Sequence, residues 1–383
     1  SALNHGYAMT PKIEKFLARH RPETPCLLFD LDILADNYRR LSAALPGAEI
    51  YYAVKANPAA PVLHSLAGLG SKFDAASLVE IDRCLAAGAD PADIAFGNTI
   101  KKQSDIAATF ALGVRLFSFD CAEELEKLAI AAPGVKVVCR IFVGNGGARW
   151  PLGAKFGCAA DAACDLLISA QSLGLAAHGV AFHVGSQQTD LASWDLAIGQ
   201  AAMIFTELRE RGIELALLNI GGGIPVRYAE EVPGEAAVIS AIEQSLSLHF
   251  GNRLPAIMAE PGRCLAATAG MVRSEVVLAT VREPDRARWV YLDIGKFGGL
   301  AETIDEAIQY PLATGCDGGR LVPTVIAGPT CDGADVLYQN AGYKLPEELA
   351  AGDWVEFRRA GAYTATYASV GFNGFGPLKE YYL

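Results

Sequence analysis

Four short stretches hold side chains of types that do chemistry, and each closes a strand-like run. Glu49-Ile50-Tyr51-Tyr52-Ala53-Val54-Lys55 is nearly all apolar until its lysine, and Pro58 breaks the chain soon after. Such a run reads as a strand buried on both faces. A lysine at its end either reaches back to solvent or sits at the mouth of a site, where desolvation lowers its pKa. His183, Gly221-Gly222-Gly223 and Glu260 with Arg263 close later runs. Singly, each has an ordinary explanation: a hydrogen-bonded imidazole, a tight turn, a helix cap. Together they supply an amine for an aldehyde, bare backbone N–H groups and a guanidinium for a phosphate, and a carboxylate for a protonated ring nitrogen. That set suits pyridoxal 5'-phosphate (PLP), with His183 lying flat against its ring. The glycine run does not match the Gly-x-Gly-x-x-Gly dinucleotide fingerprint, and no Walker-type lysine follows it.

The elements that must position these groups alternate in type. Strand candidates are Glu49–Lys55, Ser71–Ala75, Asp93–Gly97, Arg115–Phe119, Lys136–Val143, His178–Gly185, Leu215–Ile220 and Ala256–Glu260. Helical stretches such as Ser77–Ala87, Ala122–Ala131, Asp161–Leu173, Ala192–Arg211 and Glu235–Phe250 lie between them. Eight strands with intervening helices predict an α/β fold, a closed parallel (β/α)8 TIM barrel over residues 31–268; an open doubly wound sheet gives a similar alternation. In such a barrel Lys55, Asp74, Arg140, His183, Gly221–Gly223 and Glu260 all fall at the C-terminal rim. Beyond Arg263 short β-rich runs replace the helices, so residues 269–383, joined by the N-terminal segment 1–30, are expected to form a β domain. The loop Gly144-Asn145-Gly146-Gly147 reads as a solvated turn that could cover a site.

Composition narrows the classes. The chain has 383 residues, 51% of them hydrophobic, enough for a large core in two domains. A net charge of −11 with no basic run argues against nucleic acid or an anionic membrane as partner. No apolar stretch has the length of a membrane span, and no secretory pattern opens the chain. Ser1–Met9 reads as polar and loosely ordered, with Ser1 a candidate expression remnant. Nine scattered cysteines without a Cys-x-x-Cys pair point away from a disulfide framework or thiolate zinc site and toward a reducing cytoplasm; no His-Glu-x-x-His pattern supports a metal.

Across nearly its whole length the chain resembles the fold-type III PLP-dependent decarboxylases of the ornithine/lysine decarboxylase family. The carriers are Tyr52-Ala53-Val54-Lys55, Phe73-Asp74-Ala75-Ala76-Ser77 through Glu80, His183-Val184-Gly185-Ser186, Gly221-Gly222-Gly223-Ile224-Pro225 and Glu260-Pro261-Gly262-Arg263. Gly328-Pro329-Thr330-Cys331-Asp332-Gly333, Gly361-Ala362-Tyr363-Thr364 and Phe372-Asn373-Gly374-Phe375 complete them. The resemblance implies an alanine-racemase-like barrel with a β-sandwich-like domain, in a head-to-tail homodimer with shared active sites. It implies that Lys55 tethers PLP, His183 stacks on it and Glu260 pairs with its nitrogen. Ser186, Gly221–Gly223, Arg263 and Tyr363 would hold the phosphate, with Asp74, Glu80 and Arg140 supporting. Cys331 would be the acid that protonates carbon after CO₂ leaves. Asp332, Glu306, Asp305 and Phe372 would meet the substrate, and where the eukaryotic enzymes have an aspartate this chain has Glu306.

The implied reaction is decarboxylation of a basic L-amino acid, ornithine to putrescine or lysine to cadaverine, in polyamine biosynthesis. Diaminopimelate decarboxylase is the nearest rival; it needs positive charge for a distal carboxylate and carries Cys-Glu-Ser where this chain has Cys331-Asp332-Gly333. Alanine racemase would need a tyrosine base. A non-catalytic, antizyme-inhibitor-like homologue is the reading from a different class; such proteins lose cofactor residues that are present here.

Overall fold

The structure is a computed structural model and describes residues 9–144, 146–150 and 154–383. Apart from Met9, the N-terminal stretch expected to be loose lies outside the described residues, as does Asn145 of the glycine turn. The chain divides into two compact units, 37–226 with 232–262, and 1–36 with 227–231 and 263–383.

The first unit is a closed barrel of eight parallel strands: Ala48–Ala53, Lys72–Ala75, Ile94–Phe96, Leu116–Phe119, Lys136–Arg140, Ala176–Ala181, Leu217–Asn219 and Ala256–Ala259. The last strand pairs with the first through Ile257–Ala48 and Ala259–Ile50, which closes the ring and removes every sheet edge. Tyr51, Ala95, Val138, Ala181, Leu217 and Met258, from six different strands, form one buried cluster. Two-sided burial is why these strands read as unbroken apolar runs. The helices carry the matching stripe: Ala192–Glu210 buries Trp194, Ile198, Phe205 and Leu208. Ser77 caps Leu78–Ala86 by accepting the Glu80 N–H, while the Glu80 carboxylate turns back to the Ala76 N–H at 2.7 Å.

The second unit holds a nine-stranded sheet around the long strand Gly270–Arg282. The first half of that strand pairs antiparallel with Trp354–Phe357 and with Cys26–Phe29 from the chain's start; after a bulge at Val276/Leu278 the rest pairs with Ala287–Leu292. Leu312–Thr314, Val336–Tyr338, Lys344–Pro346 and Lys379–Tyr382 are strands that sequence analysis does not name. At three or four residues they are too short to show a period.

Candidate active site

At the barrel's C-terminal rim, strand ends set the side chains. Lys55 stands in the one-turn 3₁₀ helix Val54–Ala56, just past the first strand. Asp74 is in the second strand, Arg140 ends the fifth, His183 follows the sixth, and Glu260 follows the eighth. These groups act on one another. Burial, then the negative charge of Glu260 beside it, pushes the Asp74 carboxyl well above the usual range, with Lys55 pulling the other way. The neutral form of Asp74 is thus favoured relative to an ordinary carboxyl, by burial first and by its carboxylate neighbour second. Burial also raises the Glu80 carboxyl, opposed by the Ala76 N–H and Lys55. His183 is held well below the ordinary imidazole pKa by burial and by the cations Lys55 and Arg140. The ring is neutral, and its Nδ1 accepts the Gly185 N–H at 2.9 Å, which assigns the proton to Nε2. Burial lowers the Arg140 pKa against the opposing charges of Glu260, Asp120 and Asp74.

The glycine run passes so close to neighbouring backbone that side chains would not fit. A Cβ on Gly221, Gly222 or Gly223 would lie 2.5, 2.8 or 2.6 Å from the carbonyl oxygens of Phe182, Glu260 and Gly185, and Gly221 and Gly223 have φ of +66° and +91°. The Gly221 N–H is taken by the Asn219 side chain at 2.9 Å. Gln187, a residue that sequence analysis passes over, pins the far side of this turn: its amide accepts the Val226 N–H at 2.7 Å and donates to the Val226 carbonyl at 2.9 Å. The strand Ser186–Gln188 pairs with Ala148–Trp150.

The second unit positions its groups through turns. Both terminal nitrogens of buried Arg263 meet the Glu302 carboxylate, at 2.7 and 2.6 Å, and Tyr228 accepts a third bond at 3.0 Å. The Tyr363 ring centre lies 4.7 Å from the guanidinium. Burial alone would lower this arginine's pKa, but Glu302 and Tyr228 hold it well above the ordinary value. Glu302 and Tyr228 are absent from the sequence-based set because nothing local marks them as partners of Arg263.

Glu306 is occupied: its carboxylate accepts the backbone N–H groups of Gln339, Asn340 and Ala341 at 2.9–3.0 Å. Asp305 beside it is exposed, and both residues have positive φ, +52° and +54°. Cys331 is exposed; its N–H donates to the Asn373 side chain at 2.8 Å, and the Asn373 amide returns a bond to Sγ at 3.2 Å. Asp332 caps its own turn through the Ala334 N–H, and buried Asp335 gathers the loop by accepting from Lys296 N–H, Thr330 N–H and the Thr330 hydroxyl. Phe372, next to Asn373, packs edge-on against Phe297.

PLP fits the barrel rim on its chemistry: one amine, a neutral flat imidazole, an acid with a second buried carboxyl beside it, and a turn stripped of side chains. The scaffold is that of the fold-type III PLP-dependent enzymes. Residues 31–267 match the family described as pyridoxal-dependent decarboxylase, pyridoxal binding domain. The chain is 38% identical to a lysine/ornithine decarboxylase of Selenomonas ruminantium over 371 residues, covering 96% of this chain and 92% of that one. Among solved structures it is similar to the Selenomonas lysine decarboxylase in complex with PLP and cadaverine, at TM-score 0.88 and 36% identity over 98% and 94% of the two chains. A lysine/ornithine decarboxylase from Vibrio vulnificus, complexed with cadaverine, gives TM-score 0.88 and 31% identity over 98% and 100%. The chain belongs to the PLP-dependent ornithine/lysine decarboxylase family, and it is a PLP-dependent decarboxylase. Among the described residues no helix is long and apolar enough to cross a membrane.

Proposed function

We infer that the chain removes the α-carboxylate of L-ornithine or L-lysine as CO₂ and releases the diamine. The alignment along 96% of its length with a lysine/ornithine decarboxylase carries this reading. Acidic groups in the β unit suit a distal ammonium. Asp305 is exposed while Glu306 is engaged by backbone N–H groups, so Asp305 is the acid of that segment assigned to the substrate, with Asp332 as second candidate and Phe372 against the methylenes. Glu306 then supports the turn that presents Asp305.

When bound, PLP supplies an electron sink for the pair left behind by CO₂. The protein's part is positional and electrostatic. Lys55 provides the tethering amine. Glu260 faces the ring nitrogen, and the raised pKa of Asp74 lessens the repulsion between the two carboxyls. His183, being neutral, can lie against the ring face without adding charge. Gly222, Gly223 and Ser186 are assigned to the phosphate; Arg263 and Tyr363 join that assignment through the family resemblance, with Glu302 and Tyr228 holding the terminal nitrogens of Arg263. Cys331, oriented by Asn373, is assigned the proton delivered to carbon.

A homodimer with shared sites is part of the same reading. Mixing Lys55→Ala with Cys331→Ala protein would restore about a quarter of wild-type activity if each site draws on two subunits. The substrate test is CO₂ release from L-ornithine, L-lysine, L-arginine and diaminopimelate under one condition. Ornithine or lysine is expected to lead; turnover of diaminopimelate above both would overturn the assignment.

A further inference from the structure

A sulfur pair at the barrel rim is unused by the decarboxylation chemistry. Cys139 lies in the fifth strand, one residue before Arg140, and is fully buried. The chain leaves that strand and returns at Cys158, whose N–H donates to the Arg140 carbonyl at 3.1 Å and whose carbonyl accepts the Phe142 N–H at 2.9 Å. Gly157 permits this return: its φ is +92°, and a Cβ there would lie 2.8 Å from the Phe142 nitrogen. Asp120 holds the Gly157 N–H at 2.8 Å. The two sulfurs end 3.6 Å apart, with the Cys158 Sγ also 3.5 Å from the Arg140 carbonyl.

The two thiols differ. Cys158 is part-exposed, and the hydrogen bond from Cys139 pulls its pKa below the ordinary thiol value against the effect of burial. That same bond, then burial, pushes Cys139 well up. Elsewhere burial drives Cys26 up to about 11 and Cys84 and Cys164 up to about 12, leaving them inert.

We propose that Cys139 and Cys158 form an oxidisable dithiol that a hydroperoxide closes to a disulfide, and that closure displaces Arg140. The Cys158 thiolate attacks a peroxide oxygen; an S–O bond forms, the O–O bond breaks, and the departing oxygen takes up the proton Cys158 gave up, leaving as an alcohol or water. Cys139 then attacks the resulting sulfenic sulfur; the S–S bond forms, the S–O bond breaks, and water departs with the Cys139 proton. Two thiols are oxidised to one disulfide, and the hydroperoxide takes up the two electrons. Sulfurs at 3.6 Å must approach to about 2.05 Å. Both are tied to the backbone on either side of Arg140, so that residue moves with them. The consequence for PLP rests on Arg140's place in the proposed site; disulfide formation does not.

The PLP-loaded protein is treated with hydrogen peroxide, alkylated in denaturant and digested. The expected product joins the Cys139 and Cys158 peptides, is reversed by dithiothreitol, and is missing from Cys158→Ser. In parallel, PLP is titrated into cofactor-stripped protein in both redox states. Oxidised wild type is expected to bind at least about fivefold more weakly, and Cys158→Ser to show no such loss. Exposed Cys331 oxidises in both proteins, so their difference isolates the pair; Cys139→Ala replaces Cys158→Ser if the latter does not fold. Peroxide that oxidises Cys331 while Cys139 and Cys158 both remain alkylatable overturns the proposal. A linked pair with unchanged PLP affinity overturns the coupling to Arg140. Reduced protein that binds no PLP would count against the functional reading and leave the peptide result to decide on the disulfide.

Discussion

Asp74, Arg140, Glu260 and the residues just past the strands at Lys55, His183 and Gly221 take their places from a parallel barrel, whose strand ends all point to one rim. In the β unit, Asp305, Glu306 and Asn373 sit in turns with positive φ, and Glu306 and Asn373 are tied by particular hydrogen bonds. The contrast separates two ways of placing a reactive group. Regular strands fix a position through the whole barrel, so one substitution at the rim removes a function and leaves the frame intact. Where a turn is held by a few such bonds, as at Glu306, removing them costs position and stability together.

The largest expected effect tests the rim. Lys55→Ala should lose the visible absorbance of bound cofactor and reduce CO₂ release by ~10³-fold or more, with the thermal midpoint of the cofactor-free protein unchanged. Retained colour would remove Lys55 from its role. Next is Cys331→Ala, expected to keep the cofactor yet lower diamine formation by about 10²-fold; product analysis should show protonation at the wrong carbon. Asn373→Ala should reproduce part of that loss if the amide orients the thiol, and full activity in both would sink the assignment.

A third test probes the barrel's frame. Lys101 is buried with its Nζ on the Ser118 and Asn98 carbonyls and 3.1 Å from Glu124, and Lys127 shares Glu124 at 2.6 Å. Lys101→Met should cost about 3 kcal/mol in urea unfolding, because it leaves Glu124 with half its compensation. Burial lowers the Lys101 pKa to about 8, against the pull of Glu124. Between that value and the unfolded lysine's 10.5 the unfolded chain binds more protons, so this residue makes native stability rise with pH over that window. The variant should lack that rise.

The smallest effects separate Asp305 from Glu306. Glu306→Ala should lower stability by about 2 kcal/mol through the unpaired N–H groups of residues 339–341. Asp305→Asn should leave the melting curve alone and raise KM for ornithine or lysine by about tenfold, or ~1.4 kcal/mol. A KM rise in Glu306→Gln without any loss of stability would reverse the two roles.

Much of the barrel was legible because its signals are local. Runs such as Glu49–Lys55 and Lys136–Val143 contain the largely buried strands Ala48–Ala53 and Lys136–Arg140, which end two or three residues earlier than the apolar pattern does. The β unit was less legible: Val336–Tyr338 and Lys344–Pro346 are too short for a pattern, and Glu306 reads as a free acid until the backbone of residues 339–341 is folded against it. Gln187 on Val226, Glu302 on Arg263 and Cys139 beside Cys158 join residues 39, 39 and 19 positions apart. No periodicity encodes such pairs.

By itself, then, the order of residues determined the alternating architecture, the amine, the glycine turn and the acids that a cofactor would need, since each depends on neighbours within a few positions. Tertiary structure alone decided which carboxyl is pushed toward its neutral form, which imidazole stays neutral, which acid is engaged by backbone and which sulfurs meet. Those outcomes are set by desolvation and by distances of a few ångströms between segments far apart in the chain, and only folding brings those segments together.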